Sequence, residues 1–148
     1  MKCIVVSGSV GTGKTFIAKK LAKEKNLEYL SINSVIDKYK LSKGYDKRRK
    51  CKIVDVDELV KVLIKIIKES KKKLIIDGHL SHDIPPKYVE ECIITKCDIK
   101  ELKKRLEKRK YSKVKIRENL DVEILDMILE EAKELGHKIK IVDTSKTI

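Results

Sequence analysis

Tryptophan is absent from this 148-residue chain, and aromatic residues make up only 4% of it. One phenylalanine and five scattered tyrosines build no stacking platform for single-stranded bases. With two prolines and six glycines there is no Pro/Gly/Ser-rich linker, and the length fits one domain, residues 1–148. No apolar run approaches the ~20 residues that cross a bilayer. The opening "MKCIVVSGS" breaks into glycine too early for a secretory leader, so a cytoplasmic protein is expected. None of the four cysteines (Cys3, Cys51, Cys92, Cys97) forms a C-x-x-C pair, and His79, His82 and His137 complete no zinc set. Reduced, partly buried thiols are expected instead. Arginine is scarce: five arginines stand against 31 lysines in a chain of formal net charge +13. That excess suits anionic partners, either nucleotides or RNA.

What is present is an alternation of short apolar strands and amphipathic helices. Strands are predicted at "KCIVVSG", "LEYLSI", "KKLIIDGH", "ECIIT" and "KIKIVDTS". Helices are predicted at "KTFIAKKLAKEKN", at "DVDELVKVLIKIIKES" with Asp57 as cap, at "DIKELKKRLEKRK" with Asp98 as cap, and at "DVEILDMILEEAKELG" as one element. Residues 33–56 read as polar, lysine-rich and irregular. This order implies an α/β three-layer sandwich around a parallel sheet of five strands.

The stretch "GSVGTGKT" gives up strand and helix propensity alike. It fits G-x-x-x-x-G-K-[ST], with Gly8, Gly13, Lys14 and Thr15 fixed and Gly11 an additional glycine. Its context, strand before and helix after, is that of a P-loop, a nest of backbone N–H groups for a phosphate chain. Lys14 is then expected on the β- and γ-phosphates, Thr15 on Mg²⁺, and the amide of Phe16 on the α-phosphate, with ATP as the nucleotide. Asp77, ending an apolar strand, is the expected acidic partner of Mg²⁺. His79 either orients a water in the same cavity or is an exposed loop histidine. Arg105 and Arg109, four apart on one helix, either clamp a transferring phosphoryl group or pair with Glu101 and Glu107.

These stretches resemble the adenylate kinase isoenzyme 6 family. The resemblance is carried by "GTGKT", "GYDKRRKCKIVDVDEL", "IIDGH", "RKYSKVKIRENLDVEIL" and "IVDTS", and most specifically by the Asp-x-His of Asp77 and His79. It implies a P-loop kinase fold, transfer of the ATP γ-phosphate to AMP with broad nucleotide tolerance, and slow ATP hydrolysis. It also implies a role in small-subunit rRNA maturation through a small-subunit ribosomal protein. Residues from about 33 to 56 become the monophosphate-binding segment, with Arg49 at its arginine, and about 108–118 a short lid opened by Arg109. Thr144 and Ser145 fall where the family's adenine pocket is lined. Two departures stand out: Ser9 and Val10 replace Thr-Pro in the loop, and Lys110 replaces the lid glycine.

Overall fold

The computed structural model describes residues 1–47 and 51–146. The strand β1 (Cys3–Gly8) is buried at all six positions and lies at the centre of the sheet. After it come α1 (Lys14–Lys25), β2 (Glu28–Ser31), α2 (Ile32–Lys38), β3 (Ser42–Asp46), β4 (Cys51–Val54), α3 (Val56–Glu69) and β5 (Leu74–Asp77). The chain continues through β6 (Val89–Lys96), α4 (Ile99–Lys108), α5 (Lys113–Ile124), α6 (Met127–Glu134) and β7 (Ile139–Asp143). The main sheet has the order β2-β5-β1-β6-β7, and each of its pairings is parallel, as expected. Strand alternation divides the core: Cys3 and Val5 pack with Leu59, Leu63, Leu129 and Ala132 on one face, and Ile4 and Val6 pack with Ile17 and Ala18 on the other. This two-sided burial explains the unbroken apolar runs. Among the described side chains, Cys3, Cys92 and Cys97 are buried thiols, and burial pushes Cys3 and Cys92 up to about 12.

Several elements differ from expectation. The segment at 33–56 is not irregular: α2 and an antiparallel hairpin of β3 and β4 occupy it, forming a two-stranded sheet of their own. The cap of α3 is Asp55, whose carboxylate accepts from the Glu58 amide, so the helix starts before Asp57. Asp98 caps α4 as predicted. The single helix predicted at 121–136 is broken at Asp126, which adopts φ +51. Lys96 lies at the break: its ammonium pairs with Asp126 and donates to the backbone carbonyl of Glu123 at 3.3 Å, a carbonyl that also accepts from the Asp126 amide at 3.2 Å. Most of the lid stretch 108–118 is helix, because α5 begins at Lys113; the connection from α4 is a tight turn. Lys110 sits in that turn at φ +58, the left-handed conformation that its family glycine would adopt without a Cβ penalty.

Helix α5 is tethered to the glycine loop through Glu123, which is 5% exposed. Its carboxylate accepts from Ser9 Oγ at 2.9 Å and from the Cys97 amide at 2.8 Å, and pairs with Lys96 at 3.0 Å. Glu123→Ala is expected to lower the unfolding free energy by about 2–3 kcal/mol, with Glu123→Gln losing less because its amide oxygen still accepts. Urea titration of the two variants checks the ranking.

Candidate functional site

Parallel α/β sheets present their ligand sites at the carboxyl ends of the strands, where the connections part to opposite sides. Here β1 and β5 end side by side, with Val6 opposite Asp77 in the register. The glycine loop leaves β1 and turns into α1 at Gly13, which caps the helix at φ +87. Three of the loop's carbonyls are engaged by side chains. Ser9 O accepts from Thr12 Oγ1 at 2.6 Å, Gly11 O from Arg105 Nη1 at 3.4 Å, and Thr12 O from Thr144 Oγ1 at 2.5 Å. The amides of Lys14, Thr15 and Phe16 begin a helix and so have no acceptor within it. Free amides at the start of a helix are the arrangement that suits an anion.

Lys14 is half-buried and donates to Ser9 O at 3.0 Å. Burial, and to a smaller degree Arg109, lowers its ammonium to about 8 despite the opposing pull of Asp77. Asp77 is 5% exposed, and its Oδ2 accepts from Thr15 Oγ1 at 2.7 Å and from Tyr29 Oη at 2.6 Å. A hydroxyl and a carboxylate in contact at a cleft floor are the hard oxygen donors that Mg²⁺ takes, so the residues fit that ion. Tyr29 was missed in the sequence because it reads as an ordinary strand aromatic. Burial and Asp77 raise its phenol to about 12, so it stays a donor.

The segment after β5 is held close. A Cβ on Gly78 would stand 2.8 Å from Ile32 Cβ, which requires glycine there. Ser7 Oγ lies 3.2 Å from His79 O and 2.8 Å from His82 Nδ1, and His82 Nε2 reaches Glu131 at 2.9 Å. These contacts fix His79 at the cleft, with its ring exposed to it. The protein around the ring, and then Lys14, lower its imidazole to about 4, so it is neutral near pH 7.

Lys14, Thr15, Asp77, His79 and Arg109 all line one cleft of about 850 Å³, together with Gly11, Gly13 and Phe16. Tyr111, Lys115, Tyr45 and Lys52 also line it and were not singled out in the sequence. Arg105 does not join Arg109 there. Its guanidinium is engaged by Thr144 O at 2.5 Å, Gly11 O and Glu101, a brace behind the loop rather than a clamp over substrate. Thr144 is likewise buried behind the loop, and Ser145 Oγ accepts from the Asp98 amide. Arg49 lies outside the described residues. Among the described residues no cluster of His, Cys, Asp and Glu suited to a metal was found, and no helix is long and apolar enough to cross a membrane.

In the protein without metal or nucleotide, the His79 ring is expected to titrate near pH 4, and Lys14→Met should move the midpoint upward by removing a neighbouring cation. An NMR titration of the imidazole signals checks this; a midpoint near the ordinary ~6.5 that ignores the substitution would contradict it.

The chain resembles known proteins over most of its length. Residues 4–126 match a family described as AAA domain. It is 37% identical over 142 residues to a Methanocaldococcus jannaschii protein named "Putative adenylate kinase", covering 96% of this chain and 76% of that one. It is 33% identical over 139 residues to the adenylate kinase isoenzyme 6 homolog of Dictyostelium discoideum, covering 94% and 78%. Among solved structures, the YorR protein of Bacillus subtilis in complex with phosphorylated GDP superposes with a TM-score of 0.60 at 17% identity, covering 97% of this chain and 86% of that one, which shows a shared fold. The cradle, the Asp-x-His beside it and these likenesses lead to one conclusion: the chain belongs to the adenylate kinase isoenzyme 6 family of P-loop proteins.

Proposed function

We propose that the protein is a nucleoside monophosphate kinase that transfers the γ-phosphate of ATP to AMP or a related monophosphate, with slow ATP hydrolysis as a side reaction. One observation carries this reading. The cleft does not stop at the glycine loop but continues past Asp77 to Ser31, Ile32, Asn33, Ile36, Lys52 and Val54. Its volume, about 850 Å³, suits two bound groups rather than one phosphate tail and a water. Ile32, Ile36 and Val54 offer apolar walls to a flat base, and Lys52, paired with Asp37, offers a cation.

In this mechanism the chain acts by positioning and by neutralising charge. The loop amides and Lys14 hold the triphosphate. Thr15 and Asp77 would hold Mg²⁺, which when bound would supply charge neutralisation to the phosphate oxygens. Arg109, at the turn between α4 and α5, faces the same cleft and excludes water from the phosphates. The acceptor's phosphate oxygen attacks in line, and no covalent bond to the protein forms. Neutral His79 accepts or orients a proton of water when the acceptor is missing.

A second reading is favoured by the net charge of +13: the ATP cycle serves small-subunit assembly, against a ribosomal protein and pre-rRNA. Comparing how strongly AMP and a small-subunit ribosomal protein accelerate ATP consumption separates the two.

Lys14→Met is expected to abolish both transfer and hydrolysis. His79→Ala is expected to reduce hydrolysis more than transfer. A mass-spectrometric screen of monophosphate products, run alongside phosphate release, measures both; equal losses in His79→Ala would remove the assigned role of that histidine.

A further inference from the structure

Helix α5 breaks a local rule at its first turn. Ser112 is its N-cap, its hydroxyl accepting from the Lys115 amide at 3.1 Å. The residue three after such a cap is commonly Glu or Gln, which reaches back to the cap's own amide and suits the positive end of the helix dipole. Here that position is Lys115, and the first turn contains no acid at all. The lysine does not escape to water. It is 8% exposed, and its Nζ lies 3.9 Å from the centroid of the Tyr111 ring. Lysines are seldom buried to this degree. Its buried side lines the same cleft as Lys14, Arg109 and His79.

These features place three cations and a helix N-terminus around one cleft. Cations so gathered suit a bound polyanion. The ring of Tyr111 lies against the ammonium. The position is also fixed. Lys115 lies eight residues, about two turns, before Glu123 on the same helix, and Glu123 is bonded to Ser9 of the glycine loop. Lys115 is therefore set relative to the phosphate cradle before any ligand arrives. Its positive charge also reaches His79, adding to the effect of Lys14 there.

We propose that Lys115 is a further catalytic cation, contacting the phosphoryl group as it passes from donor to acceptor. This rests on the kinase reading above. The bond broken is the one between the leaving diphosphate oxygen and the γ-phosphorus, and the bond formed joins that phosphorus to an acceptor phosphate oxygen. Lys115 gives up no proton and only balances charge on the equatorial oxygens.

The experiment compares wild type, Lys115→Met and Lys115→Arg in steady-state transfer and in thermal unfolding of the ligand-free protein. Lys115→Met is expected to lower kcat by ~10²–10³-fold, with KM for both nucleotides changed by less than about threefold. Lys115→Arg should recover part of the loss. The ligand-free Tm of Lys115→Met should change little, because methionine keeps a long apolar side chain beside Tyr111, whereas loss of a merely structural lysine would lower it. A kcat within about twofold of wild type overturns the proposal. So does a lost kcat that comes with a lowered Tm and no recovery by arginine. If wild type phosphorylates no monophosphate, the kinase reading fails by itself. ATP hydrolysis then decides on Lys115: the same loss there sustains it as a phosphoryl contact, and an unchanged rate overturns it.

Discussion

The site depends on where the glycine loop's carbonyls point. Backbone amides can gather round an anion only if the oxygens of the same peptide groups are held elsewhere, since each carbonyl left facing the anion would repel it. Thr12 holds Ser9 O, Arg105 holds Gly11 O, and Thr144 holds Thr12 O. These partners come from the loop itself, from α4 and from the segment after β7. The cradle is thus assembled by three distant parts of the chain, although the motif that names it is eight residues long.

Two buried acids divide the remaining work. Glu123 is bonded to Lys96, to the Cys97 amide and to Ser9, so its charge is compensated and its role is to join α5 to the loop. Asp77 is held by the hydroxyls of Thr15 and Tyr29. Hydroxyl donors orient a carboxylate without supplying a counter-charge. A carboxylate and two hydroxyls thus meet at the end of β5, in a cleft also lined by Lys14, Lys52, Arg109 and Lys115.

Much of this was legible in the sequence, and the misses share a cause. The succession of the five sheet strands and of helices α1, α3 and α4 along the chain followed from periodicity, since the central strands β1 and β5 are buried throughout and each of these helices buries one face. The segment at 33–56 was not legible, because β3 is exposed nearly throughout and carries no apolar alternation; antiparallel pairing with β4 makes it a strand. The break between α5 and α6 was equally hidden, because the Asp126 at it pairs with Lys96, 30 residues earlier in the chain. For the same reason the spacing of Arg105 and Arg109 misled. Four residues do place two side chains on one side of a helix, but α4 ends at Lys108 and Arg109 is its C-cap. Arg105 turns under the loop toward Thr144 while Arg109 lines the cleft.

The sequence by itself determined the glycine loop, its lysine and threonine, the aspartate that ends β5 and the parallel α/β order. These depend on local backbone freedom and on short-range periodicity, which neighbouring residues set. Tertiary structure alone decided that Tyr29 holds Asp77, that Arg105 braces rather than clamps, and that Lys115 is buried beside the phosphate cradle. Each of those depends on a contact between segments far apart in the chain, and only the packing of the sheet and helices brings such segments within hydrogen-bonding distance.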